Sequence, residues 1–247
     1  HHQNDHNRYE GPRGSDKVFR NFSPPGDLES QDGDWKENYP DYLGAINSLD
    51  ANLGRIRELL KEMGIEKNTA VIYSSDHGSH FRTRNEEYKR SCHEASIRIP
   101  MVATGPTYQK KDVNEELASL IDIPPTLLTV AGIPVPETMK GSPLQGSGRS
   151  GERESVFVQI SEASVARAVR TKRWKFSMYD PDKDPLRDSE GERYISQYLY
   201  NLDEDPHELH NLAEDPEYKE MRAELALLLQ THMREAGETI DSTTFEP

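Results

Sequence analysis

The sequence predicts an α/β protein: part of a mixed sheet flanked by helices, followed by a smaller α+β part with an antiparallel sheet and a closing helix. Three observations predict it. Leu43, Ile46, Leu49, Leu53, Ile56, Leu60 and Met63 recur at three- and four-residue spacing, the signature of a long amphipathic helix. A short apolar run, residues 69–73, follows at once and suits a strand buried on both faces. Beyond residue 154 the pattern changes to short strand-like stretches separated by turn residues.

Taken in order, residues 1–38 are rich in Asn, Asp, Gly, Pro and Ser and read as a long ordered loop. The first helix is expected to follow Pro40 and stop at Gly64. The strand at 69–73 ends in Ser74-Ser-Asp-His-Gly78, and residues 97–103 read as a second buried strand. Residues 116–122 read as a strand edge, and Pro124-Pro125 should start a short helix through Ala131, closed by Gly132. Alternating helix and strand suggests a doubly wound sheet, whose ligands bind beyond the carboxyl ends of strands. Residues 146–154 are Gly- and Ser-rich and charged, a linker that places one domain at 1–148 and a second at 149–247. In the second, residues 155–160, 165–171, 174–179 and 197–202 read as strands. A final helix over 216–235 carries Met221, Leu225, Leu228, Leu229 and Met233 on one face.

Composition excludes some functions. A net charge of -14 argues against nucleic acid as a partner and, more weakly, against an anionic membrane surface. No apolar run approaches the length of a membrane-crossing helix. The single cysteine, Cys92, rules out an internal disulfide framework. The chain opens on His1-His2 with no methionine, and the expectation is either a longer protein cut at this point or a tag remnant.

Asp76 and His77 offer an oxygen and a nitrogen ligand at a strand's end, where Gly78 permits a sharp turn. Alone they fit equally a turn in which the aspartate bonds its own backbone. Residues 80–98 add His80, Arg82, Arg84, Lys89, Arg90, His93 and Arg98, a dense cationic stretch in an acidic chain. A solvated basic face would explain it, but its place beside a metal-type turn is better explained by an anionic ligand. Cys92 beside His93 has no evident orienting partner and reads as a buried or lining thiol. The polar cluster His1, His2, Asn4, Asp5, His6 is open between a tag scar, a solvated loop and a substrate-facing loop. His207 and His210 read as parts of a surface turn before the last helix.

Several stretches together resemble the sulfatase family. They are Ser75-Asp-His-Gly78, Glu87-Tyr-Lys-Arg90 and His93-Glu-Ala-Ser-Ile-Arg-Ile-Pro100, with Lys89 thirteen positions after Asp76. Leu120-Ile-Asp-Ile-Pro-Pro-Thr-Leu-Leu128, Val169-Arg-Thr-Lys-Arg-Trp-Lys175 and Tyr200-Asn-Leu-Asp-Glu-Asp-Pro-His-Glu-Leu209 are similar to later segments of the same family. The likeness is to the C-terminal portion of the enzyme. It implies an alkaline-phosphatase-like fold and hydrolysis of sulfate esters on a sulfated carbohydrate or aryl sulfate. It also implies a divalent metal, usually Ca2+, held by Asp76 and His77 with carboxylates from an N-terminal half of the same enzyme. Lys89 matches the family's sulfate-contacting lysine, and His1 would match its sulfate-contacting histidine if a proline preceded it. His80, Arg82, Arg84 and His93 would meet the rest of the substrate. By the same analogy the enzyme is exported to a periplasmic or extracellular location.

One departure matters. The family's nucleophile is a formylglycine made from the first residue of Cys/Ser-x-Pro-x-Arg, and no such motif occurs in these 247 residues. The chain by itself is therefore expected to be inactive, with formylglycine in an upstream half. A phosphodiesterase or phosphatase of the same superfamily, and a non-catalytic or decayed sulfated-carbohydrate binder, are the alternatives.

Overall fold

The computed structural model describes residues 3–4, 8–108, 113–144, 153–239 and 245–246. The chain forms two compact units: His1–Lys89 with Ile99–Val113, and Arg90–Arg98 with Asn114–Pro247. Most of residues 146–154, read as a linker, lies outside the described residues.

In the first unit, strands β1 (Gln3–Asn4) and β2 (Arg8–Tyr9) pair antiparallel, and two single-turn helices follow, α1 (Ser15–Val18) and α2 (Gly26–Glu29). The stretch expected to be loop thus contains short elements. The long helix α3 runs Trp35–Glu62 and starts five residues before Pro40, which sits buried inside it. A proline so near the N-terminus removes few intrahelical bonds, so the helix can begin upstream of it. Asn38 Nδ2 also donates to Asp34 O at 3.0 Å across this first turn. α1 crosses α3 at Gly44, where a Cβ would lie 2.0 Å from Ser15 Oγ. The core is aromatic: Tyr9, Trp35 and Phe81 with Leu28, flanked by Phe22, Tyr39 and Tyr42.

β3 (Val71–Ser74) pairs antiparallel with β4 (Met101–Thr104), Ser74 opposite Met101. The second strand starts later than the expected residue 97, because 94–97 form the single-turn helix α4 (Glu94–Ile97). No long helix packs between β3 and β4, as a parallel crossover would require. Both strands are only half-buried, not buried on both faces. Past Gly44 the apolar stripe of α3 is likewise exposed, with Ile56 at 52% and Met63 at 60%.

In the second unit, residues 116–119 form no strand, and a 3-10 turn over Leu120–Asp122 leads into α5 (Ile123–Val130). Ser119 and Asp122 cap each other there, which explains why an apolar run turns here and does not extend. Gly132, at φ 70°, closes the helix as expected. The five-stranded sheet has the order β5 (Ser155–Ile160), β6 (Val165–Thr171), β7 (Trp174–Asp180), β8 (Tyr194–Asn201), β9 (Phe245–Glu246). Its pairs are antiparallel except β8 with β9. After a 3-10 turn at Pro216–Tyr218, α6 (Lys219–Glu235) lays Leu225, Leu229 and Met233 on Val169, Phe176, Met178 and Leu199. That is the apolar face read from the sequence.

Candidate active site

β3 delivers the site. Its last residue, Ser74, donates to Pro100 O across the strand pair at 3.0 Å, and Ser75 Oγ donates to His77 O at 2.8 Å. The chain therefore turns immediately after the strand, and Asp76 stands 75% exposed at the turn. Asp76 makes the turn bond and leaves its second oxygen beside His77. Its Oδ1 accepts from His77 N at 3.0 Å, the local turn bond, while Oδ2 lies 3.3 Å from His77 Nε2.

The tautomer of His77 follows from its partners. Nδ1 lies 2.7 Å from Gly78 O, which can only accept, so Nδ1 carries the proton. Nε2 then accepts from the ammonium of Lys89, whose Nζ is 3.0 Å away, and Asp76 Oδ2 lies 3.3 Å from the same nitrogen. A histidine whose inner N–H is fixed by a carbonyl is oriented as metal-ligating histidines are. Tyr88 packs beneath both groups, its ring edge-on to His77 at 5.8 Å and 5.3 Å from Lys89 Nζ.

Asp76 and His77 are thus two converging donors, one oxygen and one nitrogen. They fit part of a divalent-cation site; among the described residues no group of three or more ligating side chains assembles.

The other residues read from the sequence fall in different places. His80 is 0% exposed, and neither ring nitrogen has a hydrogen-bond partner among the described residues. Burial, with the charge of Arg84 adding, pushes its pKa down to about 4, so the ring is neutral. Arg82 Nε lies 3.8 Å from Asp34 Oδ2, and Arg84 is half-buried nearby in sequence. His93 belongs to the second unit. It is buried there, with Nε2 3.1 Å from Tyr200 Oη and its ring against Tyr198 at 4.8 Å. Cys92 is buried too, its thiol pushed up to about 11 by that burial, which agrees with the buried thiol read from the sequence. His210 is exposed, 3.7 Å from Asp205, as befits a surface turn. His1, His2, Asp5 and His6 lie outside the described residues, and of Asn4 only the backbone is described.

Two sequence profiles match: "Sulfatase" over residues 1–133 and "N-sulphoglucosamine sulphohydrolase, C-terminal" over residues 87–235. The chain belongs to the sulfatase family. It is 32% identical over 185 residues to arylsulfatase K of Bos taurus, a match covering 70% of this chain and 32% of that protein. The chain thus spans about a third of the length of the curated relatives it matches. A candidate sulfatase of known structure from Bacteroides fragilis superposes with a TM-score of 0.76 at 21% identity, over 92% of this chain and 51% of that one. A protein solved in complex with its substrate D-glucosamine-2-N,6-O-disulfate superposes at 0.64 with 25% identity, over 81% of this chain and 41% of its own. The fold is therefore alkaline-phosphatase-like. Membership of the sulfatase family implies a divalent metal and a formylglycine.

The sequence missed three contributors to the site's architecture: Ser79, Tyr9 and the carbonyl of Tyr88. Only the tyrosine next to Lys89 gave a signal; Tyr9 sits 70 residues from the serine it meets.

Proposed function

We propose that the chain supplies the metal- and sulfate-binding part of a sulfuric ester hydrolase acting on a sulfated glycan. The observation that carries this is the convergence of Asp76 Oδ2, His77 Nε2 and Lys89 Nζ, with His77 Nε2 3.3 Å from the first and 3.0 Å from the last. A carboxylate, an imidazole nitrogen and an ammonium at one strand end suit a cation and a sulfate held side by side. Asp76 and His77 would hold the cation, which on family grounds is Ca2+, together with carboxylates from an upstream half. Bound there, it would supply positive charge beside the sulfate oxygens.

Lys89 is the sulfate contact of this reading. Its ammonium donates to a non-bridging sulfate oxygen, and that bond strengthens as charge builds on the sulfuryl group while the S–O bond to the sugar breaks. The His77 lone pair cannot serve Lys89 and a cation together, so a filled metal site leaves the ammonium to the anion. His80, Arg82 and Arg84 follow the metal turn and are assigned to the surroundings of the substrate, and His1 to the sulfate. His93 is a packing residue of the second unit in this reading.

The nucleophile comes from elsewhere. With no Cys/Ser-x-Pro-x-Arg motif among the 247 residues, formylglycine is assigned to an upstream half of the same enzyme. The half-buried β3–β4 pair and the exposed stripe of α3 offer the apolar surface such a half would cover. Export, by family analogy, completes the proposal; no helix among the described residues is long and apolar enough to cross a membrane.

The test is turnover of 4-methylumbelliferyl sulfate by three proteins: the 247-residue chain, the full reading frame that encodes it, and that full protein with Lys89→Ala. The reading expects no turnover from the first and metal-dependent turnover from the second. Removing one donor to the developing charge should cost the third about 100-fold or more. Wild-type turnover by the Lys89→Ala protein would refute the assignment. Preference for phosphonate or phosphate esters would favour the phosphatase alternative.

A further inference from the structure

We propose that Ser79 is a positioning residue for Lys89 and that Tyr9 anchors it; the proposal rests on Lys89 being the sulfate contact. Lysine is a flexible four-carbon stem, and a point charge aimed at one sulfate oxygen must be held by its surroundings. The first unit holds it through the base of the loop between residues 79 and 88. Ser79 Oγ donates to Tyr88 O at 3.2 Å, and His80 N donates to the same carbonyl at 2.8 Å. Two donors from the loop's start thus grip the peptide group that immediately precedes Lys89.

Ser79 Oγ is saturated. Besides that donation it accepts from the buried Tyr9 hydroxyl and from Phe81 N, the latter at 3.2 Å. One donation and two acceptances are all a hydroxyl can make, and neither alanine nor an apolar side chain could replace them. Burial raises the Tyr9 phenol well above its ordinary value, so it remains a donor throughout the physiological range.

The loop needs this fastening because its backbone is strained. Phe81 and Arg82 are consecutive non-glycine residues in the left-handed region, at φ 50° and 61°. Such residues persist only where the surroundings over-determine them. Here Phe81 N is taken by Ser79 Oγ, Phe81 O accepts from Asp34 N at 3.0 Å, and the Phe81 ring lies 5.0 Å from Tyr9 and 5.3 Å from Tyr42. Tyr9 therefore acts twice, with its ring on Phe81 and its hydroxyl on Ser79. The chain of contacts runs from β2 through Ser79 and the Tyr88 carbonyl to Lys89, whose Nζ meets His77 Nε2 at 3.0 Å.

The experiment reads the position of Lys89 directly, by the rate of its reductive methylation with formaldehyde and cyanoborohydride. Peptide mass spectrometry on the folded chain follows the product, with exposed Lys219 as internal reference. Wild type should label Lys89 more slowly than Lys219. Tyr9→Phe should raise the Lys89 rate, relative to Lys219, by about fivefold, the effect of losing one buried hydrogen bond, and Ser79→Ala, which loses three, by at least as much. Ser79→Thr, which keeps the hydroxyl, should restore the wild-type ratio; a merely structural role for the serine would not be rescued in this way. Equal ratios in wild type and both hydroxyl-deleted variants would overturn the proposal, as would Thr behaving like Ala. Inorganic sulfate supplies the second arm. If it fails to slow labelling of Lys89 in wild type, the sulfate-contact reading falls while the positioning result stands or falls by the variants.

Discussion

Lys175→Met should cost the second unit about 3–5 kcal/mol, because it leaves buried carboxylates without their cation. Lys175, on β7, is 0% exposed. Its Nζ sits 2.8 Å from Glu94 Oε1 and 2.5 Å from Glu208 Oε1. Glu94 has a second cationic partner, the Arg170 guanidinium at 3.3 Å to each carboxylate oxygen, whereas Glu208 is deeper and also accepts from Glu94 N at 2.7 Å. That division fits their titration. Burial works to raise Glu94, but Lys175 and Arg170 outweigh it and hold the carboxyl below its ordinary value, while burial prevails at Glu208 and pushes it up. In the variant Glu208, the more deeply buried carboxylate, loses the cation that offsets its burial. For a domain of this size the loss corresponds to a fall in Tm of about 10 °C at pH 7, read by circular dichroism and checked by urea midpoints. The sign with pH is fixed. The folded variant holds a proton on Glu208 at pH values where the unfolded chain has released it, so its stability rises as pH falls towards 5. The gap to wild type should therefore narrow on acidification, and Lys175→Met/Glu208→Gln should recover part of it. A fall in Tm below about 2 °C, or a gap that widens at pH 5, would refute the reasoning.

His80 predicts the opposite slope. The folded ring titrates near 4 and the unfolded ring near 6.5, so the unfolded chain takes up a proton first and stability drops by about 2 kcal/mol between pH 7 and 5. His80→Phe, of similar shape and without unpaired nitrogens, should leave stability at pH 7 unchanged or raised and flatten that slope, as urea melts at the two pH values would show. Cys92, buried with its thiol raised to about 11, should resist iodoacetamide at pH 8 in the folded chain and react once guanidinium unfolds it.

The elements legible from sequence were those fixed by local chemistry. α5 has paired prolines at its start and Gly132 at its end, α6 an unbroken apolar face, and β5, β6 and β7 short runs between turn residues. β8 began three residues before the expected start because Tyr194, its first residue, follows a charged turn that hides the strand. The Asp76-His77 turn was legible as a pair of donors, yet its geometry was not. Which nitrogen of His77 carries the proton depends on the Gly78 carbonyl, and the approach of Lys89 depends on a loop closed by Ser79 and Tyr88. The return from β3 to β4 is antiparallel because the chain between the two strands forms only one helical turn, short of the packed helix a parallel crossover needs. His80 reads in sequence as one of a cationic stretch meeting an anionic ligand and is a buried neutral ring, since charge patterning records residue type and not depth.

The most direct test of the central claim is calorimetric titration of Ca2+ into the chelator-stripped full protein, wild type against Asp76→Ala and His77→Ala, with sulfatase turnover followed in parallel. The account predicts one site in wild type, binding weakened at least tenfold in each variant, and turnover that returns with the metal in wild type alone. Unchanged Ca2+ binding in both variants would contradict it, because the cation would then not be held at the end of β3.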